Sequence, residues 1–237
     1  MDPDDLQAEL VAALERGGAA AVGFADLSVV SPELRAGLPR GISILVALDP
    51  NIIAGLSHGP TPEYYEEYGR ANALLGKLVD QAVDFLRARG FAAQTTAVTV
   101  KVVDLLGSRS LPHKTVATRA GLGWIGHSAV LVTPGFGKAV RLTSVLTDAP
   151  FACGAPVTES KCGTCRACVN ACPAGAITGR SWKAGIAREE LYDAAACRRT
   201  ALGLATAQGI DETICGICIL ACPWTRRHLR RSGASLD

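Results

Sequence analysis

Nine cysteines are the residues of this 237-residue chain best placed to do chemistry. Eight lie between Cys162 and Cys222, in the strings CGTCRACVNACP (162–173) and CGICILACP (215–223), with Cys197 between them. A [4Fe-4S] cube needs four thiolates; a tight CxxCxxC loop supplies three, and the fourth comes from far along the chain. Where two cubes sit together, the cysteine before proline ligates the opposite cube, so Cys172-Pro173 and Cys222-Pro223 are each expected to cross over. The second string lacks its own first cysteine, and Cys197 is the available replacement. The expected sets are Cys162, Cys165, Cys168 and Cys222 for cluster 1, and Cys172, Cys197, Cys215 and Cys218 for cluster 2.

Two blander readings compete. Zinc sites usually pair two CxxC knuckles or add histidines, whereas here four cysteines fall within eleven residues and the pattern recurs with its Cys-Pro ending. Disulfides need an oxidising compartment, and the N-terminus, MDPDDLQAELVAALERGG, lacks the basic start and apolar run of a signal peptide. Reduced clusters without an export signal point to the cytoplasm. Cys153, nine residues before the first string, is left over and reads as a spare structural thiol.

About half the residues are apolar and the formal charge is +2, which describes a globular protein rather than a dedicated nucleic-acid binder. No apolar stretch reaches the roughly twenty residues that span a bilayer. The cysteine strings occupy only the last third, so the upstream residues must form another domain.

Its elements follow from periodicity. Residues 4–16 predict a helix with Leu6, Leu10, Val11 and Leu14 on one face, ended by Gly17-Gly18. Segments 19–27 and 41–49 read as buried strands of a sheet covered on both faces. Thr61-Pro62 opens a long helix running to Arg89, with Ala71, Leu74, Leu75, Leu78, Ala82, Phe85 and Leu86 as its buried stripe. Then come a strand over 91–103, a short helix over 113–121, and strands over 128–134 and 138–147. Periodicity fades over 148–156, which places one domain at 1–150 and a small, helical, loop-rich cluster domain at 151–237. The fold class expected is α+β.

The segment LPHKTVATRAGLGWIGHSAVLVTPGFGKAVRLTSVLTDAPF (111–151), followed by both cysteine strings and ACPW, resembles the epoxyqueuosine reductase family, whose relatives include cobalamin-dependent reductive dehalogenases. The likeness covers roughly residues 41–224 and is strongest at AGLGWIG (120–126). It implies a nitroreductase-like α/β domain holding a base-off cobalamin, and a bacterial-ferredoxin-like domain with two [4Fe-4S] clusters. Electrons from an external low-potential donor, a ferredoxin or flavodoxin, would pass through the clusters to the corrin and on to a small-molecule or protein-bound substrate. Gly121, Gly123 and Gly126 would let backbone approach the flat cofactor, with Trp124 covering it; a tight turn around a core tryptophan is the plain alternative. The other functional readings are an electron-transfer protein serving a partner's corrinoid or metal centre, and an iron-sulfur flavoprotein with FMN in the same pocket.

The sequence departs from that family at three places. Gly107 stands where the family has its proton-donating aspartate and His113 where it has a glutamate, leaving His113 and Asp104 as candidate catalytic groups. His127 stands where lysine is common. The sequence ends soon after Cys222, without the helical-repeat domain that many members use to engage tRNA, so tRNA is not the expected substrate. The basic run TRRHLRR (225–231) reads first as a solvated helix and second as a surface for an acidic donor. Tyr64, Tyr65 and Tyr68 read as packing residues. GLGWIG also fits GxGxxG, but it follows a helix and precedes a strand, the reverse of a dinucleotide site.

Overall fold

The computed structural model describes residues 2–95 and 111–236. In chain order its elements are α1 (Pro3–Arg16), β1 (Ala21–Asp26), β2 (Arg40–Ala47), α2 (Pro50–Ala54), α3 (Pro62–Arg87), β3 (Ala93–Thr95), α4 (His113–Arg119), β4 (Trp124–Ile125), β5 (Leu131–Val132), β6 (Val140–Thr147), α5 (Ala167–Asn170), α6 (Arg188–Leu191), α7 (Ala194–Ala207), α8 (Ile217–Leu220) and α9 (Pro223–Arg231). The helix and strand mixture is the one expected. Residues 96–103 of the expected third strand, together with Asp104 and Gly107, lie outside the described residues.

Contacts divide the chain into two compact units. They differ from a single cut near residue 150. One unit comprises 1–47, 71–122 and 141–157; the other comprises 48–70, 123–140 and 158–237. The reason lies in the buried core of the second unit, to which 48–70 and 123–140 contribute Ile53, Leu56, Tyr64, Trp124 and Leu131 beside Ile177, Leu191, Ile214, Leu220 and Leu229 of the cluster segment.

In the first unit, the Asp2 carboxylate accepts from the Asp4 N–H, Pro3 opens α1, and Leu6, Leu10 and Leu14 are buried one turn apart. The sheet order is β1-β2-β6-β3. β1 and β2 pair antiparallel with Ala21 opposite Leu45 and Gly23 opposite Ser43, and β3 pairs antiparallel with β6. Gly41 to Val46 of β2 are buried without alternation, the signature of a strand covered on both faces. Ala71, Leu75, Leu78, Ala82 and Leu86 of α3 are fully buried, while Leu74 and Phe85 from the expected stripe are half-buried. Ala25, Leu27, Leu111, Val116, Ala120 and Leu146 form a core cluster between α4 and the sheet.

In the second unit, Asp49 caps α2 by accepting from the N–H groups of Asn51 and Ile52, and Thr61 Oγ1 accepts from the Tyr64 N–H at 3.2 Å, as the Thr61-Pro62 signal predicts. The expected strand over 128–134 shortens to Leu131–Val132, paired antiparallel with Trp124–Ile125. α5 packs against α8, and α8 against α9 and α2. No described helix is long and apolar enough to cross a membrane.

Candidate iron-sulfur centre

The second unit brings Cys162, Cys165, Cys168 and Cys222 to the wall of one cavity of about 120 Å³, shared with His127, Lys138, Pro223 and Trp224. These four thiols are the set expected for cluster 1. Local structure explains how sixty residues of separation are closed. Cys162 takes its N–H to Ser160 Oγ at 3.3 Å, and the Cys165 N–H bonds the Cys162 carbonyl, so the first two thiols sit on one turn. Cys168 lies in the first turn of α5, and Cys222 is the N-cap of α9 with Pro223 at its first position. The Cys-Pro pair therefore does two jobs: proline fixes φ for the helix start, and the preceding cysteine stays in extended geometry at the helix end that favours a thiolate.

The other four thiols also neighbour one another. Burial raises the Cys197 thiol above the ordinary range, and the adjacent Cys172 and Cys215 raise it further. Burial likewise raises Cys215, opposed by the Ile217 N–H and helped by Cys172. Cys218 is only half-buried as a residue, yet burial of its sulfur pushes the thiol up to about 11, with Lys138 opposing and Cys215, Cys168 and Cys197 adding. Cys172, Cys197, Cys215 and Cys218 are thus electrostatic neighbours, and Cys218 also neighbours Cys168 of the other expected set. All nine cysteines are free.

The donor set suits an iron-sulfur cluster: four thiols share one cavity wall, and thiolate is the ligand type that holds a [4Fe-4S] cube.

Around the cavity the unit is tightly locked. Lys138, 1% exposed, donates its Nζ to Ser128 Oγ at 2.7 Å and to the Cys218 carbonyl at 3.1 Å, while its backbone N–H bonds Thr225 Oγ1 at 2.9 Å. His127 is buried, with Nε2 3.3 Å from Ser181 Oγ. Trp124 meets Trp224 edge to face with centroids 5.0 Å apart.

The glycine motif has a structural use within its own chain. A Cβ at Gly123 would fall 2.1 Å from the Val132 carbonyl oxygen, and one at Gly126 would fall 2.9 Å from a Val132 methyl and 3.5 Å from the Cys162 sulfur. Gly121 has φ +76°, and its Cβ would fall 2.8 Å from the Ala155 carbonyl. Trp124 is 1% exposed, and its indole N–H has no partner among the described residues. Glycine at these positions lets the chain's own backbone pack closely, with β4 approaching β5.

The first unit holds the remaining candidates. His113 Nδ1 lies 2.7 Å from Ser144 Oγ, placing the histidine at the start of α4 against the buried Ser144 of β6. Cys153 is half-buried, and burial raises its thiol against the opposing charge of Arg40. Sequence reasoning did not single out Lys138, Gly137, Thr225 or Trp224.

Comparison with known proteins agrees with this geometry. Residues 161–225 match the family model for a 4Fe-4S double cluster binding domain. An epoxyqueuosine reductase from Bacillus anthracis is 36% identical over 78 residues, covering 33% of this chain and 20% of that protein, so the match spans about a fifth of the relative's length. Among solved structures, a reductive dehalogenase whose structure is described as suggesting a mechanism for B12-dependent dehalogenation superposes with TM-score 0.68 at 21% identity, covering 96% of this chain and 33% of that one. An epoxyqueuosine reductase with an epoxyqueuosine-modified tRNA-Tyr stem loop superposes with TM-score 0.61 at 19% identity, covering 95% of this chain and 66% of that one. The chain is thus epoxyqueuosine reductase-like in sequence over 78 residues, shares its fold with those enzymes and with reductive dehalogenases, and carries a double [4Fe-4S] binding domain.

Proposed function

We propose that this protein is an iron-sulfur oxidoreductase that accepts electrons from an external low-potential donor and moves them through two [4Fe-4S] clusters, ligated as above, toward a cobalamin that reduces a small-molecule or protein-bound substrate. The observation that carries the electron-transfer part is the single cavity walled by Cys162, Cys165, Cys168 and Cys222, since those thiols converge only if Cys222 crosses over from the second string. The cobalamin part rests on the sequence likeness to epoxyqueuosine reductases and on the fold shared with the B12-dependent dehalogenase. When bound, the corrin supplies the hard electron chemistry. This chain's residues hold the thiolates, exclude water from the cavity through Trp224, which Trp124 backs edge to face, and place charge beside it through Lys138. His113, anchored on Ser144, is the proposed proton donor of a nitroreductase-like first unit.

A second reading has its own observation. Because Gly123, Gly126 and Trp124 are occupied by their own chain's packing, the same clusters would instead reduce a partner's corrinoid or metal centre. Anaerobically reconstituted protein mixed with cob(II)alamin separates the two. A base-off paramagnetic resonance signal that titrates to one corrinoid per chain is expected. Failure to bind any corrinoid would remove the first reading, and rapid reduction of a partner without substrate turnover would then support the second.

A further inference from the structure

Lys138 is a buried cation whose two partners are both uncharged: the Ser128 hydroxyl and the Cys218 carbonyl. It makes no ion pair among the described residues, although it is 1% exposed. Buried charges are ordinarily paired or beside a metal, because taking an ammonium out of water without a counter-charge is costly. The position of Lys138 supplies the missing partner. Its side chain lines the cavity walled by the cluster 1 cysteines, and its Nζ is hydrogen-bonded to the backbone of a cluster 2 cysteine. A thiolate-ligated cube is a net anion, and reduction adds one more negative charge. Either cube would therefore be the counter-ion that the protein lacks without iron.

We propose that Lys138 is a potential-setting residue for both clusters: its ammonium, held by Ser128 and the Cys218 carbonyl beside the cluster 1 cavity, stabilises the reduced state of each cube. The anchoring fits this role. The backbone N–H of Lys138 is held by the buried Thr225, three residues after Cys222, so the charge is fixed relative to the ligands of both sets. Ammonium donors also shape potential through hydrogen bonding near sulfur, one of the recognised levers on such clusters.

The inference rests on the cluster assignment above, and its test separates the two. Wild type, Lys138→Gln and Lys138→Arg are reconstituted anaerobically, assayed for iron and sulfide, and titrated by redox potentiometry with paramagnetic resonance detection. Glutamine keeps two N–H donors without the charge; arginine keeps the charge. At a potential where the wild-type clusters are half reduced, Lys138→Gln is expected to lower the ratio of reduced to oxidised cluster about tenfold, a fall of about 59 mV for one electron, while Lys138→Arg stays within about threefold. Lys138→Gln that loads no iron beside Lys138→Arg that loads fully at wild-type potentials also supports the proposal, because charge is what separates the variants. A fully loaded Lys138→Gln with unchanged potentials overturns it, as does Lys138→Arg that fails to load or shifts as far as Lys138→Gln. Wild type that cannot hold two cubes overturns the cluster assignment instead.

Discussion

Replacing Gly137 with alanine probes how the end of the chain is held to the cluster cavity. Gly137 has φ +59° and is buried, and a Cβ there would lie 2.2 Å from the Thr225 nitrogen, 2.5 Å from the Thr225 Cα and 2.6 Å from the Trp224 carbonyl carbon. All three are backbone atoms, so no side chain can swing aside. Ordinary contact begins near 3.4 Å, and restoring it means parting the two backbones by about 1.2 Å, the difference between those two distances. The displaced atoms directly follow Cys222 and Pro223 at the start of α9. Metal-ligand distances tolerate only about ±0.2 Å, so a shift of that size pulls Cys222 off cluster 1. The left-handed backbone adds about 1–2 kcal/mol for a residue with a Cβ, and overpacking about 1–3 kcal/mol, for a loss near 2–5 kcal/mol. Gly135→Ala is the control two residues away, because nothing lies within 4 Å of its Cβ position. After anaerobic reconstitution, Gly137→Ala is expected to hold about four iron atoms per chain, one cube, against about eight for Gly135→Ala. Denaturant unfolding should show the stability loss only in Gly137→Ala. Gly137→Ala with about eight iron atoms, and stability within about 0.5 kcal/mol of wild type, would refute the reasoning.

Two further outcomes follow from the same geometry. Gly123→Ala forces a Cβ to 2.1 Å from the Val132 carbonyl oxygen and should destabilise the protein before any cofactor is added, by about 1–3 kcal/mol in denaturant unfolding; wild-type stability with loss of corrinoid binding alone would return the motif to a cofactor role. His228 packs edge to face on Phe136 at 5.3 Å, with a buried Nε2 that has no hydrogen-bond partner among the described residues. Burial and then Arg231 lower its pKa below 6.5, so the unfolded chain binds a proton more readily. Stability is therefore lost as pH falls from above 6.5 through the folded-state value. The stability gain of His228→Phe over wild type should be larger at about pH 5.5 than at about pH 8 in paired unfolding curves, and an equal gain at both would remove histidine titration as its cause.

The double-cluster cysteine pattern was legible in the sequence because the loop that makes a cube corner is local: three thiols within seven residues and a Cys-Pro at a helix start need no knowledge of distant packing. The same holds for α1 and α3, whose apolar spacing and caps are local signals. What a missing Cβ faces is not local. Gly121, Gly123 and Gly126 look alike in the motif, and only the structure shows that Val132 and Ala155 approach where their Cβ atoms would stand. Segments 48–70 and 123–140 read as parts of an upstream domain, yet their buried side chains, Ile53, Leu56, Trp124 and Leu131 among them, belong to the core of the cluster segment's unit. Lys138 was one cation among 24 lysines and arginines, and burial alone distinguishes it.

The crossing of Cys172 and Cys222 is the centre of the account, and iron counting combined with paramagnetic resonance of Cys222→Ala, Cys172→Ala and Cys153→Ala tests it most directly. Cys222→Ala should lose the cluster held by Cys162, Cys165 and Cys168 and keep the other, Cys172→Ala should do the reverse, and Cys153→Ala should retain about eight iron atoms. Loss in each case of the cluster nearest in sequence to the altered cysteine would contradict the account.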